Sequence, residues 1–251
     1  MKDEVGKSTQ EFSRFEFKYI LNEEIKNKIE KQVKEFMKFD GFVHTDLSDS
    51  YFVRSLYYDS PSSSNFYEKI DGIKKRKKFR LRTYDKTFEK SPVFIEQKGR
   101  NVNRVYKLRT NIDKNDIDKF YLADDFEYLI NNYGDKKIIN EFITDKVKRN
   151  ISPVVLVDYI RRPYVSDYDM NFRITFDSHI MSRPSKNLFP EKADNENFKK
   201  CLPGYTILEV KFHRKVPAWF HKIIMVYNLE RVSVSKFVLG MKTSKIAIDL
   251  S

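Results

Sequence analysis

The sequence predicts an α+β fold in which an antiparallel sheet closes into a barrel with helices packed outside. Several segments alternate charged and apolar residues, as strands do when their two faces meet different surroundings. Several others carry apolar residues at helical spacing and need a surface to cover. If the helices cover the apolar strand faces, the charged faces must point toward one another. A closed barrel gives this arrangement, because its strands surround a common interior.

The segment from Lys74 to Arg82 carries the strongest signal. It reads KKRKKFRLR, and its even-numbered positions are all cationic: Lys74, Arg76, Lys78, Arg80 and Arg82. Since Phe79 and Leu81 fall between them, an extended backbone presents five positive charges on one face and an apolar strip on the other. Such charges repel one another unless they lie in bulk water or against a polyanion. Alone, the segment fits a solvated edge strand, whereas the other strands favour a polyanion.

Composition indicates a globular protein with an anionic partner. The chain of 251 residues has 48 Lys and Arg against 36 Asp and Glu, and we treat it as a single domain. This excess suits phosphate chains, nucleotides, nucleic acid or an acidic membrane surface. Cys201 is the only cysteine, which excludes an internal disulfide and favours a reducing compartment. No apolar run approaches the length of a membrane span, so we expect a cytoplasmic protein without a membrane segment.

Seven further segments are predicted as strands: 14–19, 51–59, 93–98, 100–109, 154–162, 172–177 and 207–211. Most alternate between a charged and an apolar face, whereas 51–59 is rich in aromatic and β-branched residues with Arg54 in its middle. The charged faces hold basic residues with an occasional carboxylate: Glu16, Lys18, Glu96, Lys98, Lys107, Arg109, Arg161, Arg173, Asp177, Glu209 and Lys211. Closing these strands into a barrel would therefore give it a cationic lumen.

Helices are predicted between the strands. They cover about 22–39 with Asn22 as N-cap, 60–69, 217–227, and a last helix that Ser233 can cap. An insertion at about 115–148 is predicted to form two helices, with the break between them at Tyr133 and Gly134. Its acidic residues indicate a solvated face rather than a metal site.

A cationic lumen needs an anion, and an extended phosphate chain fits because guanidinium and ammonium groups bind its oxygens through charge-assisted hydrogen bonds. Glu16, Glu96 and Glu209, placed among these cations, are candidate ligands for a hard divalent metal that bridges phosphate oxygens. Nucleic acid is not expected, because Phe79 and Leu81 point away from the cationic face that would need stacking platforms.

Eight short stretches, in order, resemble the vacuolar transporter chaperone (VTC) domain family of the triphosphate tunnel metalloenzyme (CYTH-like) superfamily. They are RFEFKY at 14–19, SLYYDS at 55–60, KFRLRTY at 78–84, FIEQK at 94–98, YIRR at 159–162, FRITFD at 172–177, LEVKF at 208–212 and SKF at 235–237. Each stretch is weak alone, but eight in the same order are specific, and they cover nearly the whole chain.

The resemblance implies an eight-stranded antiparallel tunnel that polymerises inorganic polyphosphate from ATP with a divalent metal, Mn²⁺ or Mg²⁺. It assigns phosphate clamping to Lys18, Arg80, Arg82, Lys98, Arg161 and Arg173 and metal binding to Glu209, and these seven are the catalytic candidates. Glu16 and Glu96 remain candidate metal ligands from their position among the cations. Substrate-binding candidates are Arg54, Lys78, Lys107, Tyr159, Lys211, Ser235 and Lys236. ATP and inorganic polyphosphate are thus the expected partners.

Two departures from the family pattern leave alternatives open. Arg14 stands where related tunnel hydrolases carry the first of two glutamates, and Ser233 stands where eukaryotic polymerases carry a lysine. One alternative is a triphosphatase that hydrolyses tripolyphosphate or nucleoside triphosphates, which needs a well-held metal to activate water. Another is a non-enzymatic polyphosphate-binding module.

Overall fold

The computed structural model describes residues 11–12, 15–41, 43–44, 47–87, 92–101, 104–122, 124–169, 171–191 and 197–249. Its strands are β1 (Glu11–Phe12), β2 (Phe15–Asn22), β3 (Lys38–Phe39), β4 (Tyr51–Asp59), β5 (Lys75–Thr83), β6 (Val93–Asn101), β7 (Arg104–Ile112), β8 (Ser152–Val165), β9 (Arg173–Pro184), β10 (Lys199–Lys200) and β11 (Tyr205–Phe212). Its helices are α1 (Glu23–Lys34), α2 (Ser64–Ile70), α3 (Ile117–Leu122), α4 (Phe126–Tyr133), α5 (Lys137–Arg149), α6 (Ala218–Val226) and α7 (Lys236–Thr243). Arg14 lies outside the described residues.

One large antiparallel sheet organises the fold, as predicted. Its eight long strands follow the order β7-β6-β5-β4-β8-β9-β11-β2, and the two-residue strand β1 pairs with β7 at one end. The two remaining short strands extend it locally, since β3 pairs with β8 and β10 pairs with β9. Helices cover much of this sheet, so the α+β class is confirmed.

The expected closure into a barrel is not supported. The strand order ends at β2, and no ladder pairing joins β2 to β7 within the described residues. Instead, the backbone N–H of Val232, in the connection between α6 and α7, donates to the carbonyl of Lys18 at 2.8 Å on β2. Side chains still meet across the gap, because Lys98 on β6 contacts the Glu16 carboxylate on β2 at 3.1 Å. Over the residues that the structure describes, the sheet is therefore curled but not hydrogen-bonded into a ring.

The strand register brings the predicted charged residues to one side of the sheet, the cavity face, which carries Arg80 and Glu209. Arg80 pairs with Glu96 across β5 and β6, and Glu209 pairs with Lys18 across β11 and β2. Phe79 lies on the opposite face and is buried. Because side chains alternate along a strand, this register carries every second residue to the cavity face.

The opposite face of the sheet packs against helices in two apolar clusters. In one cluster, Phe79 and Leu81 meet Phe120 of α3 and Phe142 of α5. In the other, Leu208 and its neighbours on β9 and β11 meet the helices α1 and α6. Both clusters remove from water the apolar strand faces that the alternation predicts, and such burial is the main favourable term in folding.

The last helix, α7, is an exception because it packs against the cavity face. Phe237 and Met241 lie in a buried cluster with Val155 and Val157 of β8. Gly240 makes this close approach possible, since a Cβ there would lie 2.8 Å from Cγ2 of Val157. The expectation that the helices lie outside the sheet is therefore wrong for α7.

Three predicted helix boundaries also change. The insertion contains three α-helices, α3 to α5, rather than two. The additional helix is α4, for which Asp125 is the N-cap. The first helix ends at Lys34 rather than near Phe39, although Asn22 caps it as predicted and accepts from the N–H of Ile25 at 2.8 Å. Ser235 occupies the N-cap position of α7 in place of Ser233.

The packing of α7 predicts that a side chain at Gly240 destabilises the protein. The Gly240→Val variant should lose about 1–3 kcal/mol of unfolding free energy, because the added atoms overpack the contact with Val157. The matched control is Gly41→Val, since a Cβ at Gly41 has no neighbour within 4 Å, and it should change stability by about 0.5 kcal/mol or less. Urea unfolding measures both, and equal losses would contradict the role of Gly240.

Candidate functional site

A cavity of about 220 Å³ lies on the cavity face and ends at the N-terminus of α7. It brings together most of the predicted site residues: Glu16, Lys18, Lys78, Arg80, Arg82, Lys98, Lys107, Tyr159, Arg161, Glu209, Lys211, Ser235 and Lys236. Tyr57, Tyr84 and Tyr106 complete its lining. We call this space the inner cavity.

Three predicted site residues do not line the inner cavity. Arg54 lies on the opposite face of β4, where its guanidinium forms a buried bidentate pair with Asp158 at 2.8 and 2.9 Å. Arg173 begins β9 and is exposed. Glu96 is on the cavity face but only 1% exposed, beneath the cations that line it. We therefore leave Arg54 out of the proposed substrate-binding set.

Glu96 neutralises one group of cavity cations from below. Its carboxylate contacts Arg80 at 2.6 Å, Lys107 at 2.9 Å, Arg109 at 3.4 Å and Arg82 at 3.8 Å. Burial alone would raise the pKa of Glu96, but the arginines, followed by Lys107, hold it well below its usual range. Burial and the same arginines lower the pKa of Lys107 to about 8, although Glu96 opposes this shift.

Asp177 plays the same part on the other side of the inner cavity. It is fully buried and holds the Arg161 guanidinium through two hydrogen bonds of 2.7 Å, while Lys236 of α7 approaches it to 2.5 Å. Glu209 accepts from Lys236 at 3.1 Å and lies 3.3 Å from Arg161. Burial would raise the pKa of Glu209, but Lys236 and then Lys18 keep it well below its usual range.

Two carboxylates of the inner cavity could hold a divalent metal. The Lys18 ammonium lies between them, 3.1 Å from Glu16 and 3.4 Å from Glu209. No cluster of three or more His, Cys, Asp or Glu side chains suitable for a metal occurs in the described residues. Magnesium is commonly held by one or two carboxylates together with substrate phosphates, so this pair fits such an ion. Glu96 does not fit, because it is only 1% exposed and does not line the inner cavity.

Lys78 differs from the other cavity cations because no carboxylate in the described part of the chain pairs with it. Its ammonium donates to the Ser235 hydroxyl at 3.2 Å and lies over the rings of Phe237 and Tyr57. Burial, followed by the neighbouring cations Lys98 and Lys18, lowers its pKa well below the usual value. Protonated Lys78 is thus an uncompensated charge that an anion would stabilise.

A wider space of about 510 Å³, the vestibule, continues from the inner cavity at Lys78. Lys69, Arg76, Arg100 and Arg231 contribute to its lining, and Lys69 donates to the Ser233 hydroxyl at 2.8 Å. Burial and the nearby Arg76 lower the pKa of Lys69, so this space also accumulates positive charge. The two spaces share Glu16, Lys18, Lys78, Lys98 and Ser235 and form one cationic channel.

Sequence reasoning omitted several residues from the candidate site. Asp177 and Arg109 were placed on the charged strand faces by their alternation, but nothing in the sequence marked them as partners of Arg161 and Glu96. Of the aromatic residues that line the cavity, Tyr159 was predicted, whereas Tyr57, Tyr84 and Tyr106 were not. Because they share the cationic face, the orientation of Phe79 and Leu81 does not exclude stacking, and the absence of a nucleic-acid partner stays a prediction.

The comparisons with known proteins agree with this geometry. The family model described as "VTC domain" matches residues 13–245. The chain belongs to the VTC domain family. A comparison of this chain with curated proteins finds no match.

Several solved structures resemble this chain in fold at low sequence identity. A candidate adenylate cyclase from Bacillus halodurans is 9% identical, with a TM-score of 0.53 over 90% of this chain and 95% of that one. A Pyrococcus horikoshii OT3 protein is 18% identical, with a TM-score of 0.49 and coverage of 92% and 99%. A candidate adenylyl cyclase from Hippeastrum with a dominant triphosphatase activity is 9% identical, with a TM-score of 0.47 and coverage of 91% and 96%. The similarity to the Bacillus halodurans structure supports the fold described above.

None of the helices within the described ranges of the VTC domain combines the length and the apolar character needed to cross a membrane.

The charges of the inner cavity predict opposite effects for two lysine substitutions. Lys78→Met should raise the unfolding free energy of the ligand-free protein by about 1–2 kcal/mol, because it removes an unpaired buried charge. Lys236→Met should lower it by about 3–5 kcal/mol, because Asp177 and Glu209 lose a buried partner. Urea unfolding at pH 7 measures both.

The pH dependence adds a check on the Lys78 prediction. A lysine whose folded pKa is below its ordinary 10.5 costs stability at low pH, and this cost disappears as the pH rises toward 10.5. The gain from Lys78→Met should therefore shrink between pH 7 and pH 10. A loss of stability in Lys78→Met similar to that in Lys236→Met would contradict the unpaired state of Lys78.

Proposed function

We propose that the protein is a polyphosphate polymerase that transfers the terminal phosphate of ATP onto a growing polyphosphate chain inside the cationic channel. The observation that carries this proposal is the charge balance of the inner cavity. Nine cationic side chains line it, whereas two carboxylates line it and two more, Glu96 and Asp177, lie beneath. An excess of five positive charges favours a bound polyanion.

The vestibule favours polymerisation over hydrolysis. A triphosphatase needs to hold only the triphosphate, for which the inner cavity supplies enough cations. The vestibule extends the same cationic lining beyond Lys78 through Lys69 and Arg76. A phosphate chain longer than the triphosphate would find charge partners along this path, as the acceptor of a polymerase requires.

Positioning and charge neutralisation account for the chemistry. The bond between the γ-phosphorus of ATP and the β–γ bridging oxygen breaks, and a terminal oxygen of the acceptor chain bonds to the γ-phosphorus, with ADP as the leaving group. Arg80 and Arg161, fixed by Glu96 and Asp177, would hold phosphate oxygens in line. Lys18 and Lys236 would neutralise charge that develops during transfer. No side chain need act as a nucleophile.

A divalent metal would add further positive charge to this site. Glu16 and Glu209 are the side chains that would hold it, as their oxygen donors and position beside Lys18 suit a hard cation. When bound, the ion would neutralise phosphate oxygens that the lysines and arginines do not reach. We propose Mn²⁺ or Mg²⁺ as the ion.

The proposed function predicts a ladder of products. Purified protein incubated with ATP and Mn²⁺, with and without a short polyphosphate primer, should form chains of increasing length and one ADP for each phosphate added. Gel separation by chain length and ADP measurement test this. Free orthophosphate without chains would identify a triphosphatase, and binding without turnover would identify a polyphosphate-binding module; either result would reject the polymerase.

The proposed metal ligand predicts a separation of binding from turnover. Glu209→Gln should bind tripolyphosphate about as well as the wild type, because Arg161 and Lys236 keep Asp177 as partner, but should lose turnover about 100-fold or more. The matched control is Glu30→Gln. Glu30 is a buried glutamate that accepts hydrogen bonds from Arg162 and Tyr164, and none of these three residues lines the channel. Calorimetric binding and ADP formation measure the two properties, and unchanged turnover in Glu209→Gln would reject the metal role.

A further inference from the structure

We propose that the nucleoside of the substrate binds at the end of the inner cavity opposite the vestibule, with its base stacked against Tyr84. We call this end the aromatic mouth, formed by Tyr51, Tyr84, Phe94 and Arg109. The proposal rests on the proposed function, since it requires a nucleoside triphosphate in the channel. It assigns base recognition to residues outside the phosphate-binding set.

The direction of β5 separates the aromatic mouth from the vestibule. Lys78 lies where the inner cavity meets the vestibule, and Tyr84 lines the inner cavity six residues further along the chain. At about 3.3 Å per extended residue, Lys78 lies about 17 Å along the strand from Thr83, where β5 ends, and Tyr84 follows directly. Arg80 and Arg82 lie between them, so phosphates bound there would have one end near Tyr84.

The size of the inner cavity places the nucleoside outside it. Pockets that enclose a ligand of drug size have volumes of about 300–1,000 Å³, and the inner cavity has about 220 Å³. Once the triphosphate fills the cationic part, the base and ribose must lie at one of its two ends. The chemistry of the two ends therefore decides where the base and ribose bind.

The aromatic mouth has the chemistry of a stacking platform. Tyr51 and Phe94 approach the Tyr84 ring edge-on, at interplanar angles of 71° and 69°. Arg109 donates to the Tyr84 hydroxyl at 3.2 Å, and its guanidinium lies 3.5 Å from the centre of the Phe94 ring. These contacts hold Tyr84 in place, and a pre-ordered ring loses little entropy when a base stacks on it.

The vestibule suits phosphate better than a base. Ring contacts do not distinguish the two ends. Phe15 stacks on Phe212 with centroids 5.4 Å apart and Arg231 lies 4.7 Å from the centre of Phe17, and Arg109 likewise lies 5.6 Å from the centre of Tyr84. The two ends differ in charge. Lys69 and Arg76 both have lowered pKa values, caused by burial and then by neighbouring cations. A neutral base there would leave this repulsion in place, whereas phosphate oxygens would relieve it.

The test compares ATP with tripolyphosphate, which lacks the nucleoside. Dissociation constants are measured by calorimetry in the presence of a chelator, so that no turnover occurs. Tyr84→Leu should weaken ATP binding about 10-fold, because stacking is lost, and should change tripolyphosphate binding less than 2-fold. Tyr84→Phe keeps the ring and should retain ATP affinity. Tyr168→Leu, at a tyrosine that is 98% exposed, is the control and should change neither ligand.

Two results would overturn the base-stacking proposal. If Tyr84→Leu weakens both ligands equally, or neither, while the wild type binds both, Tyr84 does not contact the base and the polymerase proposal stands. If the wild type binds neither ATP nor tripolyphosphate, the proposed function fails and the nucleoside site fails with it.

Discussion

Positive charge that the protein's own carboxylates do not neutralise is the constraint on which this structure depends. The cations lie on the inside of a curled sheet, where low dielectric strengthens their repulsion. Apolar clusters on the opposite face and beneath α7 must supply the free energy that offsets this repulsion. The fold therefore holds an excess of positive charge that a bound polyanion would stabilise.

The four carboxylates of the site divide into two kinds by their depth. Glu96 and Asp177 are buried and fix arginines through charge-assisted bonds, so they set where the guanidinium groups point. Glu16 and Glu209 reach the cavity surface and contact lysines. Because Glu16 and Glu209 line the cavity, a metal or substrate could replace one of their cationic partners there. Glu96 and Asp177 do not line it, and a buried carboxylate that loses its arginine keeps an uncompensated charge.

Strand alternation made much of the site predictable from sequence. Lys18, Arg82 and Glu209 sit on strands with one apolar face, and a period of two fixes their side of the sheet. The same reasoning fails for Arg54, because β4 is buried on both faces and its alternation carries no signal. The open edge beside β2 and the position of α7 depend on contacts between residues distant in sequence, such as Val232 with Lys18, which local patterns do not contain.

The position of α7 links folding to ligand binding. Its apolar residues, such as Phe237, complete a core cluster, while Ser235 and Lys236 at its start line the inner cavity. Lys236 can reach Asp177 and Glu209 only when the helix lies against the sheet, and Gly240 permits that approach. A ligand that contacts Lys236 therefore binds only the state in which α7 lies against the sheet. By mass action, such a ligand stabilises the packing of α7 on the sheet. One short helix thus makes part of the core and part of the site interdependent.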